Sequence, residues 1–289
     1  MNKSRILSII TVVVFIIASL TLIQGCRKES KPTPKQQSAE ADKKAPEALE
    51  SLEKNIKDIF KQLDVKDEEA EEEKTEMKTE TKTETKVKQD EEKAENESKQ
   101  ETKQEVKTET AEDKKWKAVK KKVEEMHKQW NTLQPEVATA GTPPEKIEDF
   151  STTLNNVTVA SDAKDLPNTL SQTNELYKYI PAFMEHFESK SPPTIKKLSY
   201  FVRDAKYNGA NNQWEKAKAS IVNLRTIWSM VKTQTKKEQE KDAAKVEVSI
   251  KELEKVVNES NANLTKLKSE IAIDNLEKLE ESFEKGQKK

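Results

Sequence analysis

The sequence predicts an all-α protein: an antiparallel helical bundle with a degenerate internal repeat, preceded by a disordered charged tether. Three observations carry this. Only four Gly occur in 289 residues, so tight hairpins and phosphate-cradling loops have little to build on. No stretch alternates Val, Ile, Thr and aromatic residues with the period of a strand. Where apolar residues cluster, they recur at steps of three and four, the spacing of one helix face. Charged residues make up 36% of the chain and the apolar set 33%. Much of the length therefore lies outside any core.

The first element is an address. Lys3 and Arg5 precede an uncharged run from Ile6 to Leu22, the order of positive n-region and apolar h-region in a secretion signal. The run meets Leu22-Ile23-Gln24-Gly25-Cys26, which resembles the lipobox of bacterial lipoproteins with a type II signal peptide. The resemblance covers residues 1–26. It implies that residues 1–25 are the signal peptide, that Cys26 takes a diacylglyceryl group as the lipidation site, and that the mature chain begins there. It also implies a palmitate-bearing protein held at the extracytoplasmic face of the cell membrane. Two acyl chains anchor stably where one holds only marginally. The apolar run is also long enough to span a membrane, which keeps an uncleaved single-pass anchor as the alternative. Both readings put the remainder outside the cytoplasm. Cys26 is the only cysteine, so neither an internal disulfide nor a thiolate metal cage is possible.

Residues 26–45 read as a flexible spacer of Lys, Ser, Pro and Gln. Residues 46–64 form an amphipathic helix: Pro46 suits a first turn, and Leu49, Leu52, Ile56, Ile59 and Leu63 make one stripe with Phe60 beside it. A lone helix of this length is marginal in water, so the stripe needs a partner. That partner is the main bundle, another copy or lipid. Residues 65–111 are a Lys/Glu/Thr-rich linker in which Lys78, Lys82 and Lys86 fall four apart, as do Glu76, Glu80 and Glu84. In a helix each line would repel itself, so the linker reads as disordered. As a coil it would span about 40 Å and hold the bundle away from the membrane.

Residues 112–284 read as the bundle. Trp116, Val119, Val123, Met126, Trp130 and Leu133 share one helix face, and the pattern returns as Trp214, Ala217, Ile221, Leu224, Trp228 and Val231. A Trp-bearing helix is thus expected to open each half of an internal repeat. Pro135 ends the first pattern. Thr142-Pro-Pro-Glu145 reads as a capping box before Ile147, Phe150, Leu154 and Val157. Asp165 caps a helix through Leu170, Tyr177, Ile180 and Phe187 that Pro181 interrupts. Ser191-Pro-Pro starts another with Ile195, Leu198, Phe201 and Val202, which Asn208-Gly209 stops. Finally Val246, Ile250, Leu253, Val257, Leu264, Leu267 and Ile271 form one long helix, or a hairpin broken at Asn258–Asn263.

Catalytic, cofactor and metal sites are all expected to be absent. Glu124-x-x-His127 has the spacing of one di-iron half-site, yet no second copy exists and Val123 and Met126 take the inward positions. Two His without a local signature do not make a nucleophile–base pair. Near-neutral charge without an Arg stripe argues against nucleic acid as a partner. The expected partners are the membrane, through the lipid, and an extracytoplasmic protein or ligand. The function that follows is a non-enzymatic binding or scaffolding bundle. A ligand-carrying alternative would use the aromatic cluster Tyr177, Tyr179, Phe183, His186 and Phe187 with Tyr200, Phe201 and Tyr207, because rings with polar tips favour pockets.

Overall fold

The stripe Leu49, Leu52, Ile56, Ile59 and Leu63 finds its partner inside the protein. In the computed structural model, which describes residues 44–64 and 110–286, these side chains sit on helix α1 (Glu47–Leu63) and are all buried. With Phe60 they contribute on the order of 10 kcal/mol of apolar burial before chain entropy is subtracted. That is ample to hold a helix too short to persist alone.

Helix α1 packs on α2 (Ala111–Thr139), α2 on α3 (Pro144–Asp162), α3 on α4 (Leu166–Tyr177), and α4 returns to α1. The ring is closed. A short α5 (Tyr179–Met184) extends α4, and α6 (Thr194–Ala210), α7 (Trp214–Lys232), α8 (Glu240–Asn258) and α9 (Ala262–Gly286) form a second ring, in which α9 returns to α6. Each ring encloses its own apolar core. Side-chain pairs show that neighbours run antiparallel: Asn55 with Gln129 and Asp58 with Lys122 across α1 and α2, Trp228 with Glu247 and Arg225 with Glu254 across α7 and α8.

The two rings are one motif used twice. Leu49, Leu52, Ile56 and Ile59 of α1 correspond in order to Ile195, Leu198, Val202 and Ala205 of α6, and all eight are buried. Phe150, Leu154 and Val157 of α3 correspond likewise to Val246, Ile250 and Leu253 of α8. The Trp130 indole donates to Ser151 at 2.8 Å, and the Trp228 indole to Glu247 at 2.6 Å, each reaching from the second helix of its ring to the third. Even the third turns agree: Lys164 and Ser260 both take left-handed φ of 54°. The residues after them, Asp165 and Asn261, each accept from a backbone N–H three residues on. The repeat therefore exists, but the Trp helix comes second in each half, because α1 opens the first.

This changes the expected layout. The bundle begins at α1 rather than at residue 112, and the charged tract lies between two adjacent helices of one ring. Residues 65–109, read as disordered, lie outside the described residues. So do the spacer to residue 43 and the signal segment. Because α1 and α2 are antiparallel neighbours, Asp64 and Thr110 stand at the same end of the body. The corresponding link in the second ring is only the turn between α6 and α7.

Other local expectations also shift. Helix α2 continues past Pro135 to Thr139, since that ring faces solvent and the carbonyl it leaves unpaired can reach water. Pro143 precedes α3 with no side-chain cap, so Thr142 makes no capping box. Gly209 does not stop α6, which runs to Ala210. A Cβ at Gly209 would come within 3.1 Å of the Trp214 ring and 3.3 Å of the Thr265 methyl, so the glycine makes room for that packing. The Asn cluster breaks the last pattern into the α8–α9 hairpin. Leu264, Leu267 and Ile271 are consequently exposed, while Thr265, Ser269 and Ala272 take the inward places.

Candidate functional site

Three cations on one face of α6 cross the seam between the rings. The Lys196 ammonium lies 2.7 Å from Glu53 of α1 and also pairs with Glu280 of α9. Lys57 joins this cluster through Glu53 at 2.8 Å. Lys206 bridges Asp64 at 2.6 Å and Glu270 of α9 at 3.2 Å. Between them the Arg203 guanidinium stands 4.4 Å from the Phe60 ring centroid and 5.1 Å from that of Tyr177, so aromatic faces hold its charge. Glu53, Lys196, Arg203 and Lys206 are all buried.

The electrostatics follow from that burial. Desolvation alone would raise the Glu53 carboxyl, but Lys196 and Lys57 outweigh it and hold it below the usual range. Desolvation pulls Lys196 down, and Glu53 and its neighbours more than reverse this, leaving its ammonium firmly protonated. Burial, with Glu53 nearby, pushes Tyr177 up to about 12. A fully paired cluster of this kind fixes the relative placement of the rings. It offers no free base or nucleophile.

The aromatic residues singled out in the sequence are mostly interior. Trp130, Phe150 and Phe183 stack on one another at 4.2 to 5.6 Å, with Tyr179 5.8 Å from Phe150. Tyr177 and Tyr207 flank Phe60. The Tyr200 hydroxyl donates to Glu175 at 2.8 Å, and burial together with that carboxylate pushes its pKa up. Phe201 packs on the second core. Pro181 does interrupt the helix, with Lys178 separating α4 from α5. The rings fill space, and His186 lies beside Gly141.

His127 bonds Thr158 through Nε2 at 2.8 Å, and among the described residues no three His, Cys, Asp or Glu side chains are grouped to hold a metal. Cys26 lies outside the described residues. Among the described helices none is long and apolar enough to cross a membrane.

Two concavities stand out among the described residues. One is a cleft of about 740 Å³ at the end of the body where α1 begins, floored by Met184, Phe187 and Phe283 and rimmed by Glu188, Lys236 and Glu238. Lys44, just before α1, forms an isolated parallel β-bridge with Glu188, so the incoming chain meets the cleft's rim. Ser191 in this cleft donates to Glu280 at 3.2 Å, and a serine hydroxyl tied to a carboxylate, with no His to take its proton, is not an activated nucleophile. The other is a smaller groove between α8 and α9, where Ala244, Val248 and Ile271 supply an apolar floor among Lys245, Ser249, Glu252 and Asn275. Sequence reasoning missed this groove because it assigned Ile271 inward across the Asn cluster. No family model, curated protein or solved structure matches the chain.

Proposed function

We propose that the protein is an exported lipoprotein, anchored through diacylglyceryl on Cys26, whose paired four-helix rings form a non-enzymatic binding or scaffolding body outside the cytoplasm. The observation that carries the reading is Leu22-Ile23-Gln24-Gly25-Cys26, placed directly after a basic start and an uncharged run and holding the only cysteine. The geometry supports the second half of it. At the seam the carboxylates and ammonium groups are paired with each other, and His127 is tied to Thr158.

With α1 built into the body and Lys44 bridged to Glu188, residues 27–43 separate Cys26 from the described fold.

Metabolic labelling with a fatty-acid analogue, on wild type and Cys26→Ser, tests this. Label on the wild type and none on the variant is the expected result, with the variant retaining residues 1–25. Label that survives the substitution, or an unlabelled wild type with an intact N-terminus, overturns it.

A further inference from the structure

We propose that the groove between α8 and α9 docks an amphipathic helix with acidic flanks, carried by a partner protein. This deepens the reading of the body as a binding module and rests on it.

The first observation is a comparison of the two halves. Val248 of α8 and Leu264, Leu267 and Ile271 of α9 are 56%, 38%, 49% and 40% exposed. The corresponding places on α3 and α4 hold Thr152, Asn168, Ser171 and Glu175, all polar. Glu175 there accepts from Tyr200 of α6, and Thr152 and Asn168 are exposed, so that face of the first half is polar both where it meets α6 and where it meets solvent. On the second half the same face is apolar and uncovered. The other large exposed apolar residues among those described, Val159, Leu166, Val222 and Met230, are scattered over α3, α4 and α7, as single apolar surface residues commonly are.

Charge decides what kind of helix fits. Around the groove Lys245 is paired with Asp242, and Lys268 with Glu252. The register set by Glu252 and Lys268 places Lys241 of α8 opposite Lys278 of α9, at one end of the groove. Both are exposed and form no ion pair with any described residue. An apolar floor with two ammonium groups at one end, neither paired by a described residue, complements a helix whose Leu-type residues at i, i+3 and i+7 enter the trough while carboxylates meet the lysines.

Shape and area separate this occupant from two others. The groove is a concavity of about 360 Å³, suited to knobs of a helix rather than to insertion into a lipid surface. The four side chains expose on the order of 300 Å², well under the area a stable dimer buries. A single added helix needs less.

The test uses the full chain held in phosphatidylcholine vesicles, so it works whether the anchor is lipid or an uncleaved helix. The probes are a fluorescent helical peptide with Leu at i, i+3 and i+7 and Glu on its flanks, and a counterpart with Lys in place of Glu. The Glu peptide should bind about tenfold or more tightly than the Lys peptide. Val248→Asp and Ile271→Asp should each abolish that preference with the circular dichroism unchanged, since both sites are on the surface. Lys241→Glu with Lys278→Glu should invert it, and Val222→Asp should leave it intact. Equal binding of the two peptides, or binding indifferent to Ile271→Asp, overturns the proposal. So does an Ile271→Asp defect seen only in adhesion to phosphatidylglycerol vesicles or in self-association. None of these outcomes touches the labelling of Cys26, so the two readings fail separately.

Discussion

Lys196 and Glu53 lie 143 residues apart in the chain and 2.7 Å apart in space, and that contact ties the first helix of one ring to the first helix of the other. Burying both charges is costly, and the cost is offset only while the partners stay together. Lys196→Ala leaves Glu53 and Glu280 to share Lys57 alone, at 2.8 and 3.7 Å, and should lower the unfolding free energy by about 3 kcal/mol. A Glu53→Met, Lys196→Met double variant should recover much of the loss in urea unfolding. Single-variant losses that simply add in the double variant would contradict a direct contact between the two residues.

Acid should weaken the fold by a traceable route. Hydrogen bonds from Trp228 and Lys232 draw Glu247 down to about 2, below the unfolded value near 4.3. A carboxyl with a lowered folded pKa lends stability that is fully present above the unfolded value and is lost as pH falls through the folded one. Glu53 acts in the same direction. Asp204, raised by burial, acts in the opposite one. The melting temperature should therefore fall between about pH 5 and pH 2. Glu247→Gln should melt lower at neutral pH and show a shallower decline. An unchanged slope would show that this contact is not formed in solution.

Helix α1 should behave as core rather than stalk. Ile56 is fully buried, and Ile56→Ala should cost about 2–5 kcal/mol, as large-to-small changes in a packed interior do. Val202→Ala, at the matching place in α6, should cost somewhat less because fewer methyl groups are lost. If α1 were a separate element, Ile56→Ala would leave chemical denaturation of the body unmoved.

The stripes on α1, α2 and α7 were legible in the sequence because every apolar residue in them faces one core. Periodicity reports such a face directly. It does not report which helices share a ring. The tract at 65–109 separates α1 from α2 in sequence, so an integral helix read as part of a stalk. Nor does it report a break that happens to preserve register. Leu264 and Ile271 continue the spacing of Val257 while lying beyond the left-handed turn at Ser260, and the turn rotates them to the surface. The buried charges at the seam left no sequence signal, since Lys and Glu are abundant throughout and only the fold brings Lys196, Glu53 and Glu280 together.

The comparison of the two rings yields a last expectation, on the loop between α1 and α2. In the second ring Asn211, Asn212 and Gln213 suffice to join α6 to α7, with Asn212 in the left-handed region at φ 57°. Helices α1 and α2 are related in the same antiparallel way, and Trp116 matches Trp214, so Asn-Asn-Gln in place of residues 65–115 should leave α1 and the rest of α2 formed. Loop-closure cost rises by about 0.6 kcal/mol per doubling of length. Removing about four doublings should therefore raise stability by up to about 2 kcal/mol. Equilibrium urea unfolding of the shortened chain measures this, with the circular dichroism as a check on helix content. A gain, or no change, fits a loop that starts and ends at one pole of the body. Collapse of the fold would mean that Asp64 and Trp116 are too far apart for three residues to span, and that α1 and α2 are not neighbours in the way α6 and α7 are.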